Sequence, residues 1–124
     1  MSSVFTKAVL QGLNAIELLR DADVEEGYTS TPYSAYQVAP VIGASDLVTQ
    51  RTLWTLSKAG IVTVKRGPGG GYRISEEQLR TKRVKDVLEA LGQTVVAPEG
   101  SRASDRLQQV FHDACDITLE EFFS

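Results

Sequence analysis

Apolar residues recur at helical spacing in five places along the chain, and a β-branched run followed by glycines separates the third from the fourth. From Phe5 to Arg20 the stripe is Phe5, Val9, Gly12/Leu13, Ile16 and Leu19, which predicts an amphipathic helix. Residues 21–33 are acidic and carry Ser30-Thr31-Pro32, so they read as a loop. Ser34-x-x-Gln37 then has the form of a capping box, opening a short helix with Val38, Ala39 and Ile42 inward and Gly43 as a left-handed cap. Pro40 falls at the sixth position of that helix, where it removes a hydrogen bond to Tyr36 and predicts a kink.

Ser45 serves as N-cap of the next helix, with Asp46 in the first turn favoured by the helix dipole. Its expected apolar face is Val48, Leu53 with Thr52 beside it, Leu56 and Ala59, and Gly60 ends it. Ile61 to Val64 reads as a strand, and Tyr72-Arg73-Ile74 as a second. Between them lie one Pro and four Gly, a hairpin turn with almost no side chain at its tip and with Lys65, Arg66 and Arg73 on its shoulders. Ser75-x-x-Gln78 is another capping box, followed by a helix through Val84, Val87, Leu88 and Leu91 that stops at Gly92. Residues 93–101 are a loop, and a long helix from about Ser101 carries Ala103, Leu107, Val110/Phe111 and Ala114 on one stripe. Thr118-x-x-Glu121 opens a terminal turn.

The fold class this pattern predicts is mainly α with a small β-hairpin. Two helices separated at Gly43-Ala44-Ser45 and followed by a basic hairpin make a winged helix-turn-helix. The expected organisation is a DNA-binding domain over residues 1–92, then a dimerisation helix and C-terminal turn over 93–124, forming one compact unit.

Composition narrows the class further. The chain has 124 residues, 42% hydrophobic and 23% charged, as expected of a globular domain that needs no membrane. No apolar run approaches the ~18 residues of a spanning helix, and the N-terminal stripe lacks a cleavage-site pattern, so a cytoplasmic protein is expected. The single cysteine, Cys115, can neither form an internal disulfide nor make a zinc site alone.

The net charge of −3 would argue against a nucleic-acid partner if it were spread evenly, and it is not. Residues 51–85 hold nine Lys/Arg against two Asp/Glu, whereas residues 1–50 hold two against six and residues 86–124 two against eight. A basic middle between acidic ends suits a localised phosphate-facing surface. In a winged helix the start of the second helix of the pair enters the major groove. There Ser45, Leu47, Gln50 and Arg51 are the expected contacts, with Gln50 matched to adenine and Arg51 to guanine. Lys58, Lys65, Arg66 and Arg73 would meet phosphate or the adjacent minor groove.

Other chemistries fit less well. A phosphate-binding glycine loop needs a helix directly after it, and here Tyr72-Arg73-Ile74 continues as strand. His112 and Asp113 have no partnered nucleophile, so no enzyme is expected. Cys115 reads as a small buried apolar residue rather than a redox switch.

Leu56-Ser57-Lys58-Ala59-Gly60-Ile61-Val62, running into Arg66-Gly67-Pro68-Gly69-Gly70-Gly71-Tyr72-Arg73-Ile74 at fixed spacing from Ser45, resembles the Rrf-two family of bacterial regulators (the IscR, NsrR and CymR type). The likeness covers Ser34 to Ile74 and extends to Val84–Leu91 and Asp116–Glu121. It implies a homodimeric transcription regulator acting as a repressor on double-stranded operator DNA. Arg66, Gly67 and Pro68 would then sit at the minor groove, and Gln50 and Arg51 would read bases.

Leu107, Val110, Phe111 and Ala114 would form the two-fold interface, placing two reading helices about one helical turn of DNA apart. Cluster-binding members carry three cysteines before the long helix; residues 93–103 have none, so no metal or other cofactor is expected. Thr49 and Val48 replace a more apolar and aromatic pair, and Pro40 is a further departure. The alternative function is a winged-helix adaptor for proteins, or a regulator controlled by a partner protein or small effector, with weak or no specific DNA binding.

Overall fold

The structure is a computed structural model, and it describes residues 6–21, 32–92, 106, 109–110 and 113–124. Helix α1 spans Lys7–Asp21 and buries Val9, Gly12, Ala15, Ile16 and Leu19, as its period requires. Thr6 caps it, its Oγ1 accepting from the Val9 amide at 3.3 Å. Phe5 and most of the acidic loop lie outside the described residues.

Helix α2 spans Ala35–Ile42 and opens on a complete capping box: the Ser34 hydroxyl accepts from the Gln37 amide, and the Gln37 side chain accepts from the Ser34 amide. Pro40 lies inside it, and the helix continues to Ile42. Pro40 and Tyr36 are both exposed, so the Tyr36 carbonyl that loses its partner can turn to water. One turn later Gly43 ends the helix at φ 69°, with the Gly43 and Ala44 amides both donating to the Ala39 carbonyl.

Helix α3 spans Asp46–Lys58, capped by the Ser45 hydroxyl on the Val48 amide. Its inward face is Thr49, Thr52, Leu53 and Leu56. This corrects the expected apolar face at both ends, since Val48 is 40% exposed and Ala59 also faces solvent. The chain turns at Gly60, and Ile61 and Val62 bury themselves before the first strand begins.

Strands β1 (Thr63–Lys65) and β2 (Gly71–Arg73) pair antiparallel in the register Thr63 to Arg73, Val64 to Tyr72 and Lys65 to Gly71. The first is shorter than the sequence expectation and begins two residues later, and the second has the expected length but begins one residue earlier. Tyr33, just before α2, adds an isolated bridge to Tyr72 on the free edge of β2.

Helix α4 (Glu76–Thr81) starts on the Ser75/Gln78 capping box, and Gln78 also donates to the Gly60 carbonyl. Helix α5 (Val84–Ala90) starts after the two intervening residues Lys82 and Arg83, the Arg83 N-cap amide donating to the Asp86 carboxylate. The C-terminal segment is stitched to this junction. The Val84 amide donates to the Ile117 carbonyl, Lys85 to Cys115 and Leu119 to Lys82, each within 3.0 Å.

Helix α6 (Leu119–Phe123) then closes the chain, with Thr118 as N-cap. Between α5 and α6, residues Arg106, Gln109, Val110, Asp113 and Ala114 are helical. Leu107 and Phe111 of the expected interface stripe lie outside the described residues.

One core joins these parts: Val9, Ile16 and Leu19 of α1 meet Val38 of α2, Leu53 and Leu56 of α3, Ile61, Ile74, Val87 and Leu119. One flaw sits inside it. Thr49 is fully buried, and its Oγ1 has no hydrogen-bond partner, a cost that an isosteric methyl would remove. Thr49→Val should therefore raise stability by about 1 kcal/mol. Equilibrium urea unfolding of the two proteins at equal slope checks this, and an unchanged or lowered midpoint would contradict it.

Candidate nucleic-acid interface

On α3, Leu47, Arg51, Trp54 and Lys58 follow one another at spacings of four, three and four residues, so they form a single stripe. All four are exposed, on the side of the helix opposite the buried Thr49, Leu53 and Leu56. Trp54 is 45% exposed and was not among the residues the sequence singled out. Its signal was available, since it lies three residues after Arg51 and seven after Leu47. Gln50 flanks this stripe on one side and Val48 on the other. The Ser45 hydroxyl accepts from the Val48 amide as cap, which leaves its O–H to donate to a ligand. A cleft of about 490 Å³ lies between α2 and α3, lined by Ala35, Tyr36, Asp46, Leu47 and Gln50.

The hairpin tip is a type II β-turn. Gly67 accepts from the Gly70 amide at 2.9 Å, Pro68 occupies the second position, and Gly69 takes φ 72° at the third, where an L side chain would be strained. At Gly71 the need is for space. A Cβ there would lie 2.5 Å from the carbonyl carbon and oxygen of Tyr33, and the backbone has φ 153°. The two backbone hydrogen bonds between Tyr33 and Tyr72 (2.9 and 2.7 Å) hold the segment ahead of α2 this close to β2.

Across the same residue, the Tyr72 hydroxyl accepts from Gln50 Nε2 at 3.2 Å. Tyr72 thus ties β2 both to the start of α2 and to α3. Burial pushes its phenol pKa up, opposed by the Gln50 hydrogen bond, so the ring stays neutral at ordinary pH.

Charge is distributed unevenly within the basic middle. Arg83 and Lys85 both pair with Asp116, at 3.4 and 3.2 Å. Among the described residues Arg51, Lys58, Lys65 and Arg66 make no ion pair, and all four are exposed. Pro68 and Gly67 are exposed at the tip, while Arg73 is half-buried in β2 with interactions of its own. The structure therefore brings Ser45, Leu47, Gln50 and Arg51 to the first half of α3, with Lys58 at its far end. Lys65, Arg66, Gly67 and Pro68 gather on the hairpin. On the expected dimer stripe, Val110 is 65% exposed and Ala114 also faces outward.

The sequence matches the Rrf2 family, described as "Iron-dependent Transcriptional regulator", over residues 10–123. The chain belongs to the Rrf2 family. As a member it is a transcription regulator of winged-helix fold. Solved structures agree on the fold. IscR of T. potens is similar at a TM-score of 0.74 and 21% identity, covering 98% of this chain and 85% of that one. The oxidised form of CymR from Staphylococcus aureus is similar at 0.75 and 20% identity, covering 99% and 97%. CymR of B. subtilis, the global cysteine regulator, is similar at 0.69 and 23% identity, covering 99% and 97%. No curated protein matches the sequence.

The Rrf2 description raises iron, and the donor set of this chain does not fit an iron–sulfur cluster. Such clusters are held by several thiolates. Here the sequence has one cysteine, Cys115, which is buried and whose thiol pKa burial pushes up, away from the thiolate form a metal needs. Among the described residues no group of three or more His, Cys, Asp and Glu could hold a metal ion.

The crowding at Gly71 gives a direct test of how the hairpin is held. Gly71→Ala should destabilise the protein by about 1–3 kcal/mol, because it forces both backbone strain and a collision with Tyr33. Thermal unfolding checks this; a melting temperature equal to that of the parent would mean that the Tyr33 bridge does not constrain the hairpin.

Proposed function

We propose that this Rrf2 member is a sequence-specific DNA-binding repressor that works as a homodimer, with α3 in the major groove and the hairpin at the flanking minor groove. The observation that carries the reading is the pairing of two surfaces by Tyr72. An exposed helix stripe with Arg51 and Gln50 is fixed beside a turn bearing Lys65 and Arg66, none of these cations being neutralised within the described protein. A free guanidinium on α3 can bond guanine O6 and N7 bidentately. Lys58, Lys65 and Arg66 would neutralise phosphates, and the Gly67-Pro68 tip is slim enough for a groove only about 6 Å wide.

The protein acts by binding rather than catalysis, in the cytoplasm where the DNA is; no helix among the described residues is long and apolar enough to cross a membrane. Repression is the action that needs no further machinery, since a bound dimer excludes the transcription apparatus by its volume. Dimerisation is supported by the apolar Val110 and Ala114 on the outer side of their helical segment. A two-fold interface there gives each surface a partner and sets half-sites about one helical turn apart.

Three measurements test this reading. Affinity for random duplex should fall steeply with salt, and Arg66→Ala should flatten the log–log slope by roughly two, one phosphate contact per protomer. Arg51→Ala should instead cost about 1–3 kcal/mol on the preferred site and relax preference at one base pair. Equal losses on specific and random duplex would remove Arg51 from the reading set. Absence of any binding at low ionic strength would leave the chain as an adaptor for proteins. Finally, Val110→Asp should convert the dimer to a monomer in sedimentation velocity and weaken operator binding; a variant that stays dimeric would place the interface elsewhere.

A further inference from the structure

The wing and the recognition helix are usually treated as two separate readers, one per groove, and in this protein they share a hydrogen bond. Gln50 lies on the first half of α3, and its Nε2 donates to the Tyr72 hydroxyl of β2 at 3.2 Å, between residues 22 apart in sequence. Three features make Tyr72 a fixed anchor rather than another mobile surface group. Its backbone amide and carbonyl are both bonded to Tyr33. It pairs in register with Val64. It is only 5% exposed and belongs to the core cluster, so its ring cannot swing out to solvent.

Gln50, in contrast, is exposed. An exposed glutamine has several rotamers and two amide orientations, most of them unproductive for reading a base. A primary amide carries two N–H donors and one carbonyl acceptor. With one N–H held by Tyr72, the remaining N–H and Oε1 are available together, and that is the donor–acceptor pair an adenine edge requires at N7 and N6.

We propose that Tyr72 is a positioning residue for base recognition: by accepting from Gln50 Nε2 it sets the amide orientation in which Gln50 reads adenine. The wing thereby determines sequence preference in the major groove, which none of its own side chains has to enter. This rests on the assignment of Gln50 as a reader of DNA. The gain comes from ordering a side chain before binding, so its loss is modest and local to one base pair. Removing the hydroxyl should cost about three- to tenfold in preference for adenine at the position Gln50 faces.

The experiment is selection of bound duplexes from a random pool, run with the parent protein, Gln50→Ala, Tyr72→Phe and the double variant that carries both. Gln50→Ala identifies the column that Gln50 reads. Tyr72→Phe keeps the ring and both backbone bonds to Tyr33, and its unfolding midpoint is measured to show that the wing is retained. The expected result is that Tyr72→Phe partly flattens the Gln50 column and leaves the other columns and the salt slope as in the parent. In the double variant the Tyr72→Phe effect on that column should vanish, because no glutamine remains to be oriented.

Either of two results overturns the proposal: an unchanged Gln50 column in Tyr72→Phe, or an equal loss over all columns with an altered salt slope, which marks a purely structural role. If Gln50→Ala flattens no column, the assignment of Gln50 as a reader has failed, and the proposal falls with it. That failure is visible without reference to Tyr72. Should Tyr72→Phe unfold, the side-chain amide of Gln50 in the DNA-free parent protein supplies the second arm. NMR relaxation should find that amide as ordered as the backbone of α3, and the mobility of a freely rotating exposed glutamine overturns the proposal.

Discussion

The two-way backbone bridge between Tyr33 and Tyr72 is the constraint on which the geometry of this Rrf2 protein depends. It fastens the segment ahead of α2 to the free edge of β2, and it does so at a distance that only a residue without Cβ at position 71 permits. The same tyrosine reaches α3 through its hydroxyl. The hairpin, the segment ahead of α2 and α3 are therefore all referenced to one residue, two of them through its backbone and one through its hydroxyl. A hairpin of three-residue strands has little stability of its own. Its orientation comes from this anchoring and from burial of Ile61, Val62 and Ile74 beneath it.

Electrostatics divides the basic residues into two groups with different tasks. Arg83 and Lys85 lie next to Asp116 and help to hold the C-terminal segment against the junction of α4 and α5. Such half-exposed pairs contribute little stability individually, and the backbone hydrogen bonds alongside them carry more of the attachment. Among the described residues Arg51, Lys58, Lys65 and Arg66 make no ion pair and are exposed on α3 and the hairpin. The net negative charge of the chain is thus compatible with unpaired cations on these two elements.

Much of the fold was legible in the sequence because its punctuation is local. Ser34 with Gln37, Ser45, Ser75 with Gln78, and Thr118 all cap the helices they were expected to cap, since a cap needs only a few neighbouring residues. The hairpin glycines were legible for the same reason. Errors arose where neighbours in space decide. Val48 has the composition of a core residue, yet the helix phase set by Leu53 and Leu56 turns Thr49 inward and Val48 out. Pro40 was expected to kink α2; the helix runs on past it to Ile42, with the proline on its exposed side. Trp54 was overlooked because large aromatics are usually buried, and the Gln50–Tyr72 bond was invisible because it spans the chain.

The manner in which residues 115–119 are attached has a mechanical consequence. They are bonded through the backbone to Lys82, Val84 and Lys85, at the junction of α4 and α5, with α4 between that junction and the hairpin. A shift in the helical segment that precedes Cys115 would pull on that junction through backbone hydrogen bonds, and α4 is in turn bonded to the base of the hairpin through Gln78, which donates to the Gly60 carbonyl and accepts from the Thr63 hydroxyl. The covalent order of the chain makes this segment a late addition, while its bonding leaves it a single short helix away from the base of the hairpin.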